Sequence, residues 1–261
     1  MLGGLIQTCS AIGVLSFLAF LGASVLLSKW AVKPVDLAWK GQRQFVADAS
    51  HELKTPLTVI LTNAEFLQND EYTAQDKLRF SENIIVMARK MRSLTERLLD
   101  LARMDGGQTQ TAFAKIDVSK IVNSALLPFE PIFFEKGLRL ESQIEEGIAV
   151  NGDAEQLSQA VSILLDNAQK YSKEAGRTNV TLARRNNRCL LCVANEGEPL
   201  CAADLKNIFR RFYRVDQARV GDGSFGLGLS IAQSIVQRHK GRIWAESKAQ
   251  VNTFFVELPL S

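Results

Sequence analysis

The chain has 261 residues, of which 46% are hydrophobic, and a formal net charge of +3. This length allows one or two compact domains plus an additional segment, and the hydrophobic content is sufficient for a buried core. The small positive excess and the lack of an extended basic run give no reason to expect a nucleic-acid partner.

The first 28 residues contain no Asp, Glu, Lys, Arg or His. A helix of that length extends about 40 Å, enough for the ~30 Å hydrocarbon core of a bilayer. A secretory signal would need a basic start, which this sequence lacks. Trp30, Trp39 and several basic residues follow closely, as is typical of the cytoplasmic end of a membrane span. The pattern predicts a transmembrane helix over 1–28, a juxtamembrane link over 29–43 and a cytoplasmic remainder anchored at the cell membrane.

A helical hairpin is predicted over residues 44–105. Apolar residues recur every three or four positions from Phe45 to Leu67 and again from Phe80 to Leu101, with a polar stretch between the two runs. The second run follows a strict 4-3 repeat, which indicates helix packed on helix. Because one hairpin leaves an apolar stripe uncovered, we expect a homodimer that forms a four-helix bundle.

A glycine pair and polar residues then predict a linker over 106–114. The periodicity changes beyond it, and residues 115–261 are predicted to form an α+β sandwich with one mostly antiparallel sheet. The predicted strands are 138–144, 179–185, 188–195, 242–247 and 253–259, and the predicted helices are 154–172 and 227–240. Cys189 and Cys192 have CxxC spacing, but in a strand they point to opposite faces, so we interpret them as core residues.

Three clusters in this second domain carry possible chemistry. Asn167, Lys170 and Tyr171 share one helix face, where an amide oxygen suits Mg²⁺ and a lysine suits phosphate. The same face could equally be a solvated one. Asn195 ends a predicted strand and Gly197 follows it, a pattern that by itself indicates only a turn.

The third cluster is glycine-rich, with Gly221, Gly223, Gly226 and Gly228 opening a helix. Backbone N–H groups at a helix start attract phosphate. An inert linker has a similar composition, and the order of elements does not fit a dinucleotide-binding motif.

In their order along the chain, these motifs resemble those of the sensor histidine kinases of two-component systems. The matching segments are "FVADASHELKTPLT" (45–58, H box), "LLDNAQKYS" (164–172, N box), "NEGEPL" (195–200, first glycine box), "IFRRFYRVD" (208–216, F box) and "GSFGLGLSIAQSIVQRHKGRI" (223–243, second glycine box). The resemblance covers about residues 45–261. It implies a dimeric hairpin that carries a phosphorylated histidine and a Bergerat-type ATP-binding domain that uses ATP and Mg²⁺.

For the hairpin, the resemblance implies that His51 accepts the phosphoryl group and that Glu52 acts as its general base. Thr55 would position water for dephosphorylation of the partner, an aspartate-bearing receiver domain of a response regulator. Pro56 should bend the helix just beyond this site. Family members commonly have two membrane spans around a sensor, so a single predicted span leads us to expect that the chain is a fragment or a mis-started gene product.

For the ATP-binding domain, the resemblance implies roles that are carried over residue by residue. Asn167 would bind Mg²⁺, Asn195 would recognise adenine, and the remaining nucleotide contacts would come from Lys170, Tyr171, Gly197, Phe209, Arg214, Gly226, Leu227 and Gly228. Phe212 and Tyr213, with Phe209, would pack the base of a lid. The chain departs from the family pattern at Ile163 and Asn195, where asparagine and aspartate are usual, and at Pro199, where a second glycine is frequent.

Other functions remain as alternatives. "HELKT" begins like a zinc-protease motif, but Thr55 stands where the second histidine is required. The main rival is a membrane-tethered dimer that binds ATP and a regulator without kinase turnover, and a free-standing ATPase of the same fold is a third possibility.

Overall fold

The computed structural model describes residues 2–105, 113–215 and 224–261. The chain divides into two compact units, residues 1–54 and 55–261. Most of the predicted linker, and Gly221 and Gly223 of the glycine-rich cluster, lie outside the described residues.

The first helix, α1 (Leu2–Gln68), is 67 residues long and is followed by α2 (Ala74–Asp105). Residues 29–43, predicted as a link, are helical and belong to α1. Within the described part of the chain, no helix has the combination of length and apolar character needed to cross a bilayer. Residues 2–28 of the segment predicted as a transmembrane helix lie in α1, which continues without a break into a charged segment.

Between the two helices, the chain turns at residues 69–73 and α2 begins with a reciprocal cap. The Thr73 hydroxyl accepts from the backbone N–H of Asp76 at 3.2 Å, and the Asp76 carboxylate accepts from the N–H and hydroxyl of Thr73. These bonds lower the pKa of Asp76 and satisfy backbone donors that a helix start leaves open. Phe66, Tyr72 and Phe80 pack beside the turn, with ring centroids 5.0–5.4 Å apart.

The predicted seam of α2 is buried at several positions. Phe80, Leu94 and Leu101 are at most 6% exposed. Asn63 of α1 is also buried, and its Oδ1 accepts from Asn83 Nδ2 of α2 at 3.3 Å, which pairs two polar groups across the hairpin. A second set of apolar side chains remains exposed along the hairpin: Leu57, Leu61, Leu78, Ile85 and Leu99. We call this set the exposed stripe.

The second domain contains both strands and helices, without strict alternation between them. Its elements are β1 (Ala114–Asp117), α3 (Val118–Leu126), α4 (Glu130–Glu135), β2 (Arg139–Ile144), β3 (Ala149–Gly152), α5 (Ala154–Tyr171), β4 (Arg177–Arg185), β5 (Arg188–Glu196), α6 (Ala202–Asn207), α7 (Gly228–Arg238), β6 (Arg242–Lys248) and β7 (Val251–Pro259). Five strands form one sheet in the order β2-β4-β5-β7-β6, parallel between β2 and β4 and antiparallel elsewhere. β1 and β3 form a separate antiparallel pair.

The sheet buries one face. Side chains at alternate positions of β5 and β7 are buried. This is expected when one face of the sheet is covered, because successive side chains of a strand point to opposite faces. The covering helices contribute further core residues that are at most 1% exposed: Leu164, Leu165, Ile231 and Ile235. The predicted α+β sandwich is present, with every predicted strand and helix at its expected place. The short elements β1, β3, α3, α4 and α6 were not predicted.

Candidate active site

One end of the sheet opens into a cavity of about 360 Å³. This volume is within the range of small-molecule pockets. The end of α5, the segment after it, the ends of β5 and β7, and both sides of the undescribed segment 216–223 form its walls. Five of the predicted site residues line it: Asn167, Tyr171, Asn195, Arg214 and Gly226.

A row of four polar residues crosses the buried face of the sheet at this end. Strand pairing places Thr178, Asn195, Asn252 and Ser247 directly beside one another on β4, β5, β7 and β6. The next inward positions along the same strands are apolar, including Val180, Val193 and Phe254. The apolar core therefore gives way to polar groups where the sheet reaches the cavity. We call these four residues the polar row.

The outer members of the polar row have hydrogen-bond partners. Thr178 Oγ1 lies 3.4 Å from Ser172 Oγ, and Ser247 Oγ accepts from the Leu200 backbone N–H at 3.0 Å.

The two central members each have one unpaired atom. Asn252 Nδ2 donates to the Glu198 carbonyl at 2.8 Å, but Asn252 Oδ1 has no partner among the described residues, and neither has Asn195 Nδ2. Asn195 is 2% exposed and Asn252 is 4% exposed. A buried polar group left without a partner costs about 1–3 kcal/mol, so these two atoms are sites that a water molecule or a ligand in the cavity would stabilise.

Helix α5 positions the polar end of the cavity. Its start is capped by the Asp153 side chain, which accepts from the N–H groups of Glu155 and Gln156. Near its other end, Asn167 and Tyr171 face the cavity.

Lys170 lies outside the cavity lining. Its Nζ is 2.6 Å from Asp166 Oδ2, one turn earlier on the same helix. The cation that α5 and its following segment bring to the cavity is Lys173, whose Nζ lies 3.1 Å from Glu196 Oε2.

The opposite wall is held by α6 and by the chain on both sides of the undescribed segment. Tyr213 donates its hydroxyl hydrogen to Asp204 Oδ1 at 2.8 Å. Hydrogen bonds from Cys201 and Tyr213 lower the pKa of Asp204, and the bond to Asp204 raises the pKa of Tyr213. Phe212 has φ of 60° and donates its N–H to the Gly226 carbonyl at 3.0 Å, so the two sides of the undescribed segment are bonded together.

Glycine is required at position 226 of this wall. Gly226 has φ of 68°, and a Cβ there would lie 2.7 Å from the Tyr213 carbonyl oxygen and 2.8 Å from the Phe212 carbonyl carbon. A side chain is therefore excluded both by backbone conformation and by contact with backbone atoms.

Four other predicted site residues do not line the cavity: Gly197, Phe209, Leu227 and Gly228. Gly197 lies so close to the chain after α5 that a Cβ would be 2.2 Å from the Tyr171 carbonyl oxygen. Leu227 is fully buried. A Cβ at Gly228 would lie 3.2 Å from Ile163 Cγ2, so the unusual Ile163 packs against the start of α7 rather than facing the cavity.

The predicted phosphoacceptor segment lies within α1. His51 is exposed and Glu52 is half-buried, both in the unit of residues 1–54. Thr55 is exposed and Pro56 is buried, both in the following unit. The helix continues through Pro56 without interruption.

Asn167, the predicted ligand of Mg²⁺, lines the cavity. The described residues contain no group of three or more His, Cys, Asp or Glu side chains able to hold a metal. Mg²⁺ is commonly held by one or two protein oxygens, with water and substrate phosphates completing its six positions. Asn167, which lines the cavity, can offer one amide oxygen, and one such ligand fits an ion that arrives with a nucleotide.

Among the cavity residues that the sequence interpretation missed, Asn252 is a buried one with an unpaired polar atom. In "VNTFFVELP" the inward positions of β7 are 252, 254, 256 and 258, and only the first is polar. β5 shows the same pattern, with Asn195 ending an inward series of apolar residues. An amide in the inward phase of an otherwise apolar strand is a signal that could have identified Asn252.

Comparison with known proteins gives two family matches. Residues 41–107 match the His Kinase A (phospho-acceptor) domain, and residues 152–261 match the histidine kinase-, DNA gyrase B- and HSP90-like ATPase. The sensor protein DltS of Streptococcus agalactiae is 32% identical over 95% of this chain and 62% of its own length. The sensor protein CiaH of Streptococcus pneumoniae is 36% identical over 89% of this chain and 52% of its own length. The chain thus spans between half and two thirds of the length of these relatives.

Solved structures share the fold. The Acinetobacter baumannii histidine kinase AdeS aligns with a TM-score of 0.64 at 21% identity, over 81% of this chain and 98% of that one. The histidine kinase ThkA, solved in complex with the response regulator protein TrrA, aligns with a TM-score of 0.69 at 19% identity, over 84% and 61%. The solved structures show the shared fold, whereas the two domain matches and the relatives DltS and CiaH show that the chain belongs to the sensor histidine kinases of two-component systems.

Proposed function

We propose that the chain transfers the γ-phosphoryl group of ATP to His51 and from there to an aspartate in the receiver domain of a response regulator. The observation that carries this proposal is the cavity, whose wall holds two buried amide atoms without partners in the domain that matches the family ATPase. The adenine base of ATP would supply hydrogen-bond partners for these two atoms. His51 is exposed on a helix that matches the phosphoacceptor domain.

The cavity offers groups for both ends of a nucleotide. Asn195 and Asn252, the two central members of the polar row, suit the base edge, since both are buried and each has an unpaired hydrogen-bonding atom. Lys173 and Arg214 bring positive charge for the phosphates. Asn167 would hold Mg²⁺, which when bound neutralises the charge that the phosphates carry and develop during transfer.

The reaction requires little covalent work from the protein. Glu52, as general base, would accept a proton from one ring nitrogen of His51 while the other attacks the γ-phosphorus, and ADP leaves with the bridging oxygen. The receiver aspartate then displaces His51 from phosphorus. Thr55 would orient water for hydrolysis of the resulting acyl phosphate. The complex of ThkA with a response regulator supports this choice of partner.

The test is transfer of label from ATP to the purified chain with Mg²⁺. ATP carrying radioactive γ-phosphate should give an acid-labile phosphoprotein, and His51→Gln should give none. Glu52→Gln should label about 100-fold more slowly or worse, the usual contribution of a general base. Labelling that persists in His51→Gln would exclude His51 as the acceptor.

The same experiment tests the main alternative, an ATP- and regulator-binding dimer without kinase turnover. A folded chain that binds ATP but takes up no label would favour that alternative. Phosphate release without a phosphoprotein would instead indicate a free-standing ATPase.

We also propose that the chain is a homodimer. The exposed stripe supports this, because five large apolar side chains lie along one hairpin without a covering element in the described residues. Leu78→Glu with Leu99→Glu should shift the mass measured by light scattering from dimer to monomer. Leu127→Glu is the control, because Leu127 is also exposed but lies directly after α3 and not on the hairpin. This variant should leave the mass unchanged.

A membrane location is a further part of the proposal. Residues 1–28 contain no Asp, Glu, Lys, Arg or His and expose large apolar side chains, among them Leu15, Phe17 and Leu21. The purified chain should float with phospholipid vesicles in a density gradient. Phe17→Asp with Leu21→Asp should weaken flotation, and unchanged flotation would contradict attachment through this segment.

A further inference from the structure

The side-chain amide of Asn252 has one atom without a partner among the described residues, and the hydrogen bond of its other atom identifies which atom that is. Its Nδ2 donates to the Glu198 carbonyl at 2.8 Å. A carbonyl oxygen only accepts, so a flipped amide would set two oxygens against each other. The atom of Asn252 that remains without a partner among the described residues is therefore Oδ1, an acceptor.

Asn195 supplies the complementary group. It lies directly opposite Asn252 on the neighbouring antiparallel strand, where side chains are about 4.5–5.5 Å apart at Cβ. Its unpaired buried atom is Nδ2, a donor. The floor of the cavity thus presents one donor and one acceptor side by side, both almost completely removed from solvent.

We propose that Asn252 is a specificity-determining residue: its Oδ1 accepts a hydrogen bond from the exocyclic amine of adenine, while Asn195 Nδ2 donates to the adjacent ring nitrogen N1. The Watson–Crick edge of adenine carries these two functions next to each other. This inference rests on the proposed binding of ATP. It assigns the amine to residue 252 on β7 and not to residue 195.

Removal of the amine from the ligand measures this bond directly. Purine riboside triphosphate differs from ATP only by lacking the exocyclic amine. We expect the full-length chain to bind it about tenfold more weakly than ATP in calorimetric titration, the effect of one lost hydrogen bond to a buried group. In Asn252→Leu the two nucleotides should bind equally, because the acceptor is absent. Asn252→Ala, which adds no bulk, should give the same equality if the leucine variant does not fold.

Ser247→Ala is the matched control. Ser247 is the neighbour of Asn252 in the polar row and, like it, bonds to the segment of residues 198–200, but it has no unpaired atom. Loss of a merely structural bond to that segment should weaken ATP and its analogue equally. The Ser247→Ala variant should therefore keep the wild-type preference of about tenfold.

The outcomes separate the failure of this inference from that of the proposed function. A preference for ATP that survives in both Asn252 variants overturns the inference, and its loss in Asn195→Leu alone would assign the amine to Asn195. Tighter binding of GTP than of ATP would also overturn it, since guanine presents its donor and acceptor in the opposite order. A wild-type chain that binds no nucleotide would overturn both this inference and the proposed function.

Discussion

The second histidine of the chain provides a sharp test of how the ATP-binding domain is stabilised. His239 is 3% exposed and lies at the end of α7. Its Nε2 accepts from the Asp153 backbone N–H at 2.9 Å, its Nδ1 lies 2.8 Å from the Ile235 carbonyl, and its ring stacks on Phe113 at 4.6 Å. The ring thus joins the end of α7 to the start of α5.

His239→Phe keeps the ring and its stacking but removes the acceptor for Asp153. The Asp153 N–H would then be left without its partner, which costs about 1–3 kcal/mol. The Ile235 carbonyl still accepts from the backbone N–H of residue 239 at 3.2 Å. Loss of its contact with the ring Nδ1 therefore adds little to the cost. We expect the free energy of unfolding to fall by about 1–3 kcal/mol, within the 5–15 kcal/mol typical of a folded domain.

The pH dependence follows from the same burial. Burial lowers the pKa of His239 below its ordinary value of 6.5, because the charged ring is disfavoured away from water; nearby Asp153 opposes this effect and Arg238 adds to it. The unfolded chain therefore binds a proton more readily than the folded one. The stabilisation is complete above pH 6.5 and is lost as the pH falls from there toward the lowered pKa.

The assay is urea unfolding followed by tryptophan fluorescence, with Trp244 of β6 in the affected domain. His51→Phe is the control, since it makes the same exchange at the other histidine, which is exposed, and should change stability by less than about 0.5 kcal/mol. The reasoning is refuted if His239→Phe unfolds at the wild-type urea concentration. It is also refuted if that variant keeps the full wild-type pH dependence below about 6.5.

Three further substitutions probe the core, the cavity and the hairpin. Leu164→Ala should lower the unfolding free energy by about 2–5 kcal/mol in urea titration, because the side chain is fully buried, whereas exposed Leu127→Ala should change little. Gly226→Ala should weaken ATP binding in calorimetry far more than Gly228→Ala, since its Cβ would meet backbone atoms at 2.7 Å; equal effects would contradict the strain argument. Thr73→Ala should destabilise the hairpin by about 1 kcal/mol in thermal unfolding, and an unchanged midpoint would show that the cap is dispensable.

Long periodic segments could be predicted from the sequence because their signal is repeated many times. The 4-3 repeat from Phe80 to Leu101 identified α2, and strict alternation identified β5 and β7. β1 and β3 have four residues each, too few for alternation to be distinguished from chance. Their pairing depends on contacts made by the folded domain.

The candidate site was predictable where side-chain direction follows from one element and not where elements meet. Helical spacing grouped Asn167 with Tyr171, and both line the cavity, but it also included Lys170, which pairs with an aspartate one turn earlier and lies outside the lining. Lys173 lies beyond the end of α5, where the path of the chain and not helix geometry sets its position. The pairing of Asn195 with Asn252 requires the strand register, which no local pattern encodes.

The position of β7 in the sheet has a consequence for how the domain is assembled. Although β7 follows every other described element in sequence, it occupies an interior place, bonded to β5 on one side and to β6 on the other. Neither of those strands can complete its ladder until residues 251–259 have inserted between them, and Asn252 arrives with the same insertion. A growing chain can pair β2, β4 and β5 earlier, but it would complete the sheet and bring the two amides of the cavity together only in one late step.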